Sequence, residues 1–383
     1  MASRFLRRFD LMGIFILWRL LLFIPLVAAA YLIPLNPPVP VSYVYNFKNF
    51  GLSFNSVFLF PWANFDGIHY FNIAEFGYTN QARFFPLFPI LIKLLSTNVI
   101  ASLLLVSILF LLALFIFKRL IEIDFPKSVS KKVLILLLIF PTSFFFVSIY
   151  SEGLFLFLTL LVFYFARKKM WLFSISCALL LTATRFVGIA ILPALLYEYF
   201  VSGKIVFTKK NIFMLIKKLT PFLIVPAGLI FYSLFNLYEW NNLFYFIQAQ
   251  GELGNSRSVS GIVLFPQTVF RYFKILTSVP ANSYDWMIAL LELISFLFTA
   301  FMLYFAWKKK LRRSYLIFAF INFAITISTG TFSGLPRYII TIFPIFMALA
   351  LLKNKILKLS YIIISPILLF ILLMLFSRGY FVA

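Results

Sequence analysis

The stretch NVIASLLLVSILFLLALFIF, residues 98–117, runs for twenty residues without a charge. As an α-helix rising about 1.5 Å per residue it is about 30 Å long, the thickness of a bilayer's hydrocarbon core. Similar apolar runs recur at 11–34, 133–149, 153–166, 171–185, 187–201, 219–238, 285–306, 314–330, 338–352 and 359–376. Together they predict about eleven membrane helices. The alternating pattern of membrane barrel strands is absent, so the spans read as helices. With 63% hydrophobic and 12% charged residues and a mean hydropathy of +1.03, the chain does not fit a soluble globule. The expected fold is an all-α polytopic membrane protein forming one integral domain over residues 1–383.

Charge placement predicts the orientation. If the N-terminus is cytoplasmic and successive loops alternate, the cytoplasmic segments hold Arg4, Arg7 and Arg8, then the basic clusters of 118–132, 167–169, 204–218, 308–313 and 353–358. These contain 24 of the 34 basic residues, a positive-inside pattern. The net charge of +23 is then explained by topology and anionic headgroups, without nucleic acid. Asp66, Glu75, Glu152, Glu239, Glu252 and Asp285 fall on the external side. The single cysteine, Cys177, lies within a span, so no intrachain disulfide can form. The basic start SRFLRR resembles a signal peptide, but the apolar run behind it is too long and lacks a small-residue cleavage site. It reads as a retained first helix.

Two external segments are long enough to carry chemistry, 35–97 and 239–284. Within the first, DGIHYFNIAEFGY (66–78) predicts a short interfacial helix with Asp66 as N-cap and Gly77 as stop. Phe84–Leu95 predicts a second, entered through Pro86. Asp66 reads equally as a helix cap or as a carboxylate serving as general base or metal ligand. His69 and Tyr70 follow at i+3 and i+4 and can share its face. One histidine without a second His or Cys argues against zinc. Glu152, in IYSEG, is by default a wet turn residue. Arg185, in TATRFVG, interrupts an apolar stretch at a cost of roughly 3 kcal/mol even on lenient scales. Arg337, in SGLPRYIITIFP, opens a span on the same side. Two such arginines suit a phosphate, and snorkelling is the alternative. No P-loop and no Gly-rich dinucleotide fingerprint is present. Glu122 and Asp124 imitate the acidic pair of nucleotide-sugar transferases in a loop too short for that domain, and read as accidental.

Four blocks carry a resemblance: FDGIHYFNIAEFGY followed by FFPLFP, FPTSFFFVSIYSEGLFLFLTL, ATRFVG, and SGLPRYIITIFPIF, with FIQAQ as a weaker fifth. In this order they resemble the PIG-V family, the dolichyl-phosphate-mannose-dependent enzymes that add the second mannose of the GPI anchor, and their prokaryotic relatives in the GT-C superfamily. The chain departs from the family pattern at Asn64-Phe65, where Arg-Trp is usual, and at Ser151-Glu152-Gly153, where Thr-Glu-Ser is usual. It also lacks the tryptophan expected shortly after the glutamine. The resemblance implies an inverting membrane glycosyltransferase, a mannosyltransferase by family, acting on the extracytoplasmic face. Its donor is a polyprenyl-phosphate sugar and its acceptor a glycolipid, glycan or protein.

Asp66 is then the catalytic base. His69, Tyr70, Glu75, Tyr78, Glu152, Arg185, Gln250, Arg337 and Tyr338 are the implied substrate-binding residues. No cofactor is expected, a divalent metal on Asp66 and a second acid being the lesser alternative. High Lys, Ile, Phe and Asn content reads as prokaryotic, which places the chain in the plasma (inner) membrane. The competing functions are a lipid-linked saccharide flippase, disfavoured because charge sits mostly at span ends, and a catalytically inactive membrane scaffold.

Overall fold

The computed structural model describes residues 10–36, 54–203, 218–252, 257–258 and 261–383, and all regular structure among them is helical. Parts of the expected first external loop (37–53) and of the basic segments (1–9 and 204–217) lie outside the described residues. The first helices in chain order are α1 (Leu11–Leu32), α2 (Asp66–Phe76), α3 (Leu87–Leu94), α4 (Val99–Asp124), α5 (Lys127–Leu138), α6 (Glu152–Arg167) and α7 (Trp171–Thr182). They are followed by α8 (Phe186–Gly203), α9 (Thr220–Trp240), α10 (Tyr245–Glu252), α11 (Phe265–Ser278), α12 (Tyr284–Lys308), α13 (Arg313–Ile327), α14 (Pro344–Ala350) and α15 (Lys355–Ser377).

Among the described residues, six helices are long and apolar enough to cross a membrane: α1, α4, α8, α9, α12 and α15. Two more, α7 and α13, are apolar but shorter. Two expected spans are not continuous helices. In 133–149, α5 stops at Leu138 and Ser143–Val147 coils as a 3-10 helix beyond Pro141. In 338–352 the chain makes a helical turn at Leu335–Tyr338, a 3-10 turn at Ile339–Thr341, and only then α14 from Pro344. Both interruptions carry a proline, which withholds its backbone donor and breaks the i→i−4 ladder.

By Cα packing the chain forms two compact units. The first comprises Met1–Tyr78, Phe88–Phe157 and Leu352–Val382. In it α15 packs on the second half of α1, while α4 packs on α5 and on the first half of α1. The Trp18 indole donates to the Leu138 carbonyl at 2.7 Å, satisfying one of the acceptors left open where α5 ends. Phe110 of α4 stacks on Phe146 at 4.4 Å, so the aromatic run 144–146 acts as core packing.

The second unit comprises Thr79–Leu87 and Leu158–Leu351, with Ala383. Here α9 crosses α7 at Gly228, where a Cβ would lie 2.5 Å from the Leu179 carbonyl oxygen. Only glycine permits that approach, a small-residue contact of the kind apolar helices use to close on one another. Glu198, near the end of α8, is buried and accepts from Arg312 Nε at 2.7 Å and from Ser314 Oγ at 2.6 Å. Arg167, at the end of α6, lies 4.0 Å from the same carboxylate and donates to the Tyr315 hydroxyl at 2.9 Å. The bond to Glu198 holds the Arg312 guanidinium above its ordinary pKa. Arg167 and Arg312, from two segments that charge placement assigned to one face, therefore meet at one buried carboxylate.

Candidate functional site

The candidate residues fall into both units, and each group has its own geometry. In the first unit α2 begins at Asp66 itself. Phe65, not Asp66, is the flanking residue, and it makes no side-chain cap. Asp66 is therefore the first helical residue, which corrects the expected N-cap. It sits at the helix end where a carboxylate is electrostatically favoured. Phe65 has φ +56° and ψ −112°, a costly backbone for a side chain with a Cβ. Its ring is held against Phe376 and Phe381 at 5.8 and 5.7 Å, and this packing opposes the strain. Gly77, with φ +83°, ends the helix as expected, and Tyr78 follows it.

The start of α2 is locked onto the turn before α6. Ile149 donates its N–H to the Trp62 carbonyl at 2.8 Å, and a Cβ on Gly67 would come within 3.3 Å of the Ile149 oxygen. The Tyr150 hydroxyl accepts from Asp66 N at 3.3 Å and donates to the Asn64 carbonyl at 2.7 Å. Asn64 in turn donates from Nδ2 to the Phe376 carbonyl at 2.8 Å. Tyr70, four residues beyond Asp66 and buried, donates to Ser151 Oγ at 3.0 Å. The next residue is Glu152, the first of α6 and only 2% exposed. The wet-turn reading of this glutamate is thereby overturned. His69, half-buried, lies between Asp66 and Tyr70 on the same helix. Glu75 stands nine residues past Asp66, about half a turn round the helix at 100° per residue. It is exposed and accepts from Thr97 Oγ1 at 2.7 Å.

In the second unit two candidate arginines meet at the ring of a third candidate, Tyr338. Arg185 occupies the extended break between α7 and α8, with φ −158° and ψ 148°, and its guanidinium carbon lies 4.7 Å from the centre of the Tyr338 ring. Arg337, 5% exposed, lies 5.0 Å from the same ring and donates to the Tyr338 hydroxyl at 3.1 Å. A third guanidinium was not among the sequence candidates. Arg257 lies 5.5 Å from the ring and donates to the Tyr338 hydroxyl at 3.0 Å, to the Ser333 carbonyl at 3.1 Å and to Gln250 Oε1 at 2.6 Å. Gln250 is thus connected to the cluster through Arg257.

The turn that presents Tyr338 is fixed from below. The Tyr272 hydroxyl donates to the buried Glu292 carboxylate and accepts from Phe332 N at 3.0 Å. Burial and then the neighbouring Glu292 charge push the Tyr272 phenol above its ordinary pKa, so it remains a donor. Three guanidiniums on one ring make a strongly cationic, donor-rich place, suited to an anion with several acceptor oxygens.

Among the described residues no three His, Cys, Asp or Glu side chains are grouped so as to hold a metal ion. Sequence reasoning missed Arg257 because GNSRSVSG reads as an ordinary solvated loop. It missed Tyr150 and Ser151 because they stand in the short turn between the expected spans 133–149 and 153–166, which reads as an ordinary wet connection. Searches of protein families, curated proteins and solved structures found nothing that matches this chain.

Proposed function

We propose that the protein is an integral membrane glycosyltransferase of the GT-C type, similar to the PIG-V-like mannosyltransferases. About eleven membrane helices result when the shorter and interrupted apolar segments are counted. The enzyme transfers a sugar, mannose by resemblance, from a polyprenyl-phosphate donor to a glycolipid, glycan or protein acceptor. The reaction takes place on the extracytoplasmic face of the plasma (inner) membrane, with the N-terminus cytoplasmic and with no cofactor. The observation that carries this reading is the gathering of Arg185, Arg257 and Arg337 around Tyr338. Two separate motif blocks, ATRFVG and SGLPRYIITIFPIF, supply residues to it. In the first unit the blocks around Asp66 and Glu152 are likewise neighbours, through Tyr150 and Ser151.

In the proposed reaction Asp66 takes the proton of an acceptor hydroxyl, and that oxygen attacks the anomeric carbon with inversion. The bond from the anomeric carbon to the phosphate oxygen breaks, and the lipid phosphate departs with an added negative charge. Fixed guanidiniums stabilise that developing charge without reorganising, which is the electrostatic contribution that lowers barriers most. The carboxylate contributes general-base catalysis. Glu152, Tyr70 and His69 orient sugar or acceptor hydroxyls. The test is incubation of the purified chain in detergent with a synthetic radiolabelled polyprenyl-phosphate mannose and a membrane-lipid extract. Label in a new product supports the reading; label that stays in the donor under every acceptor tried counts against it.

A further inference from the structure

The helix α11 of the second unit presents three different sides. Thr268 and Tyr272 are buried on the side that packs against α12, and the Trp286 indole of α12 donates to the Leu276 carbonyl at 3.0 Å. Pro266, Phe270, Phe273 and Thr277 fall within about 60° of one another at 100° per residue. All four are exposed, Phe270 at 73% and Phe273 at 57%. Gln267, Arg271, Lys274 and Ser278 form a second exposed edge of about the same width beside the first. The helix carries two cations and no acid.

Two phenylalanine rings left in water would forfeit the stabilisation that burial gives them. A helix with an aromatic edge beside a basic polar edge instead lies along a bilayer surface. Its rings enter the upper acyl chains and its cations complement the net negative charge of the headgroup layer.

The same helix holds the segment that leads to Tyr338. Arg271 Nη1 donates to the Gly330 carbonyl at 3.2 Å. The Tyr272 hydroxyl accepts from Phe332 N at 3.0 Å, lies 3.2 Å from Thr331 Oγ1 and donates to Glu292 of α12. The Tyr272 and Phe332 rings are 4.8 Å apart. Beyond Phe332 the backbone is closely tied: Leu335 N donates to the Phe332 carbonyl at 2.8 Å and Tyr338 N to the Gly334 carbonyl at 3.1 Å. Gly330 and Gly334, with φ of +78° and +77°, turn the chain at either end of this segment. A shift of α11 would therefore move Phe332, and Tyr338 with it.

We propose that α11 is a lipid-seated lever: its Phe270 and Phe273 edge rests in the bilayer surface, and through Tyr272 that seating fixes the turn that presents Arg337 and Tyr338. The partner of this edge is the lipid surface itself. Seating and linkage stand apart from the transferase reading, and only their consequence for sugar transfer rests on it.

The seating is tested with single spin-labelled cysteines replacing Gln267, Phe270, Phe273 or Ser278 in a Cys177→Ala background. The full-length protein is placed in vesicles of phosphatidylethanolamine and phosphatidylglycerol. Labels replacing Phe270 and Phe273 should collide severalfold more with molecular oxygen, which concentrates in lipid, than with a water-soluble nickel chelate. Labels replacing Gln267 and Ser278 should show the reverse order. Nickel-accessible labels in place of the two phenylalanines overturn the seating. Labels there that neither agent reaches also overturn it, since they put a protein partner on this edge.

The linkage is read by amide hydrogen exchange in the same vesicles. Tyr272→Phe removes the hydroxyl that accepts from Phe332 N, while Phe270→Gln with Phe273→Gln weakens the seating and leaves Tyr272 in place. Both proteins should exchange severalfold faster than wild type across 331–338, with α13 protected as before. Unchanged exchange across 331–338 in either protein overturns the linkage. So does an equal rise in α13, which would mark a general loosening of the unit.

Discussion

The Arg257 guanidinium donates to the Tyr338 hydroxyl at 3.0 Å while its other terminal nitrogen donates to Gln250 at 2.6 Å. A loop arginine thus joins α10 to the turn that carries Arg337. The pairing makes Arg257 and Gln250 one unit, so their substitutions should not add. Transfer should fall about a hundredfold in Arg257→Ala, as when one fixed donor to a developing charge is removed. Gln250→Ala should cost much less, and the double variant little more than Arg257→Ala. A coupling of about 0.5–3 kcal/mol from the double-mutant cycle is expected. Strict additivity would separate Gln250 from the cluster.

Arg185 and Arg337 admit a conservative test. If they grip the leaving phosphate, Arg185→Lys and Arg337→Lys should both remain impaired, because an ammonium cannot make the planar two-point contact. The loss should appear more in turnover than in apparent donor affinity, since the phosphate gains charge as its bond to the sugar breaks. Snorkelling forecasts the reverse, as lysine snorkels equally well. Full activity in both lysine variants returns these arginines to the lipid interface.

The membrane class and the two ends of α2 were legible in sequence, because apolar run length, an acid at the helix start and Gly77 at its end are local signals. Arg185 and Arg337 stood out for the same reason, each being a charge beside an apolar run. What joins the residues was not legible. Tyr150 reaches Asp66 across 84 positions, and no periodicity encodes such a contact. Arg257 carried no signal in its loop, and only its hydrogen bonds identify it. The interrupted segments were read as continuous because a hydropathy window counts the residues around Pro141 and Pro344 as apolar. The window does not register the backbone donor each proline lacks.

Tyr150 should behave as a support for Asp66. Tyr150→Phe removes the shorter of two hydrogen bonds to the Asn64 carbonyl, leaving the one from Gly67 N at 3.4 Å, at a cost of about 0.5–1.5 kcal/mol, and frees the start of α2. A lower unfolding temperature with a moderate loss of transfer is expected, smaller than for removal of the Asp66 carboxylate. Unchanged stability and unchanged transfer would reduce Tyr150 to packing.

Sidedness can be read by thiol labelling in a Cys177→Ala background. Asn80 and Lys309 are both exposed. A cysteine at Asn80 should react with an impermeant maleimide on intact cells, and one at Lys309 only after the membrane is opened. The opposite pattern would put Asp66 on the cytosolic face, where the proposed lipid-linked donor has no advantage over a nucleotide sugar.

The account stands or falls on Asp66. Asp66→Asn keeps the side chain's size and its place at the start of α2 but removes the base. The measurement is the initial rate of mannose transfer from a synthetic polyprenyl-phosphate mannose by wild type and Asp66→Asn, purified in equal yield and with equal unfolding temperatures. A fall of roughly 10²–10⁴-fold is expected, the usual worth of general-base catalysis. Near-normal transfer by the well-folded Asp66→Asn protein would contradict the account and leave Asp66 as a helix-start residue only.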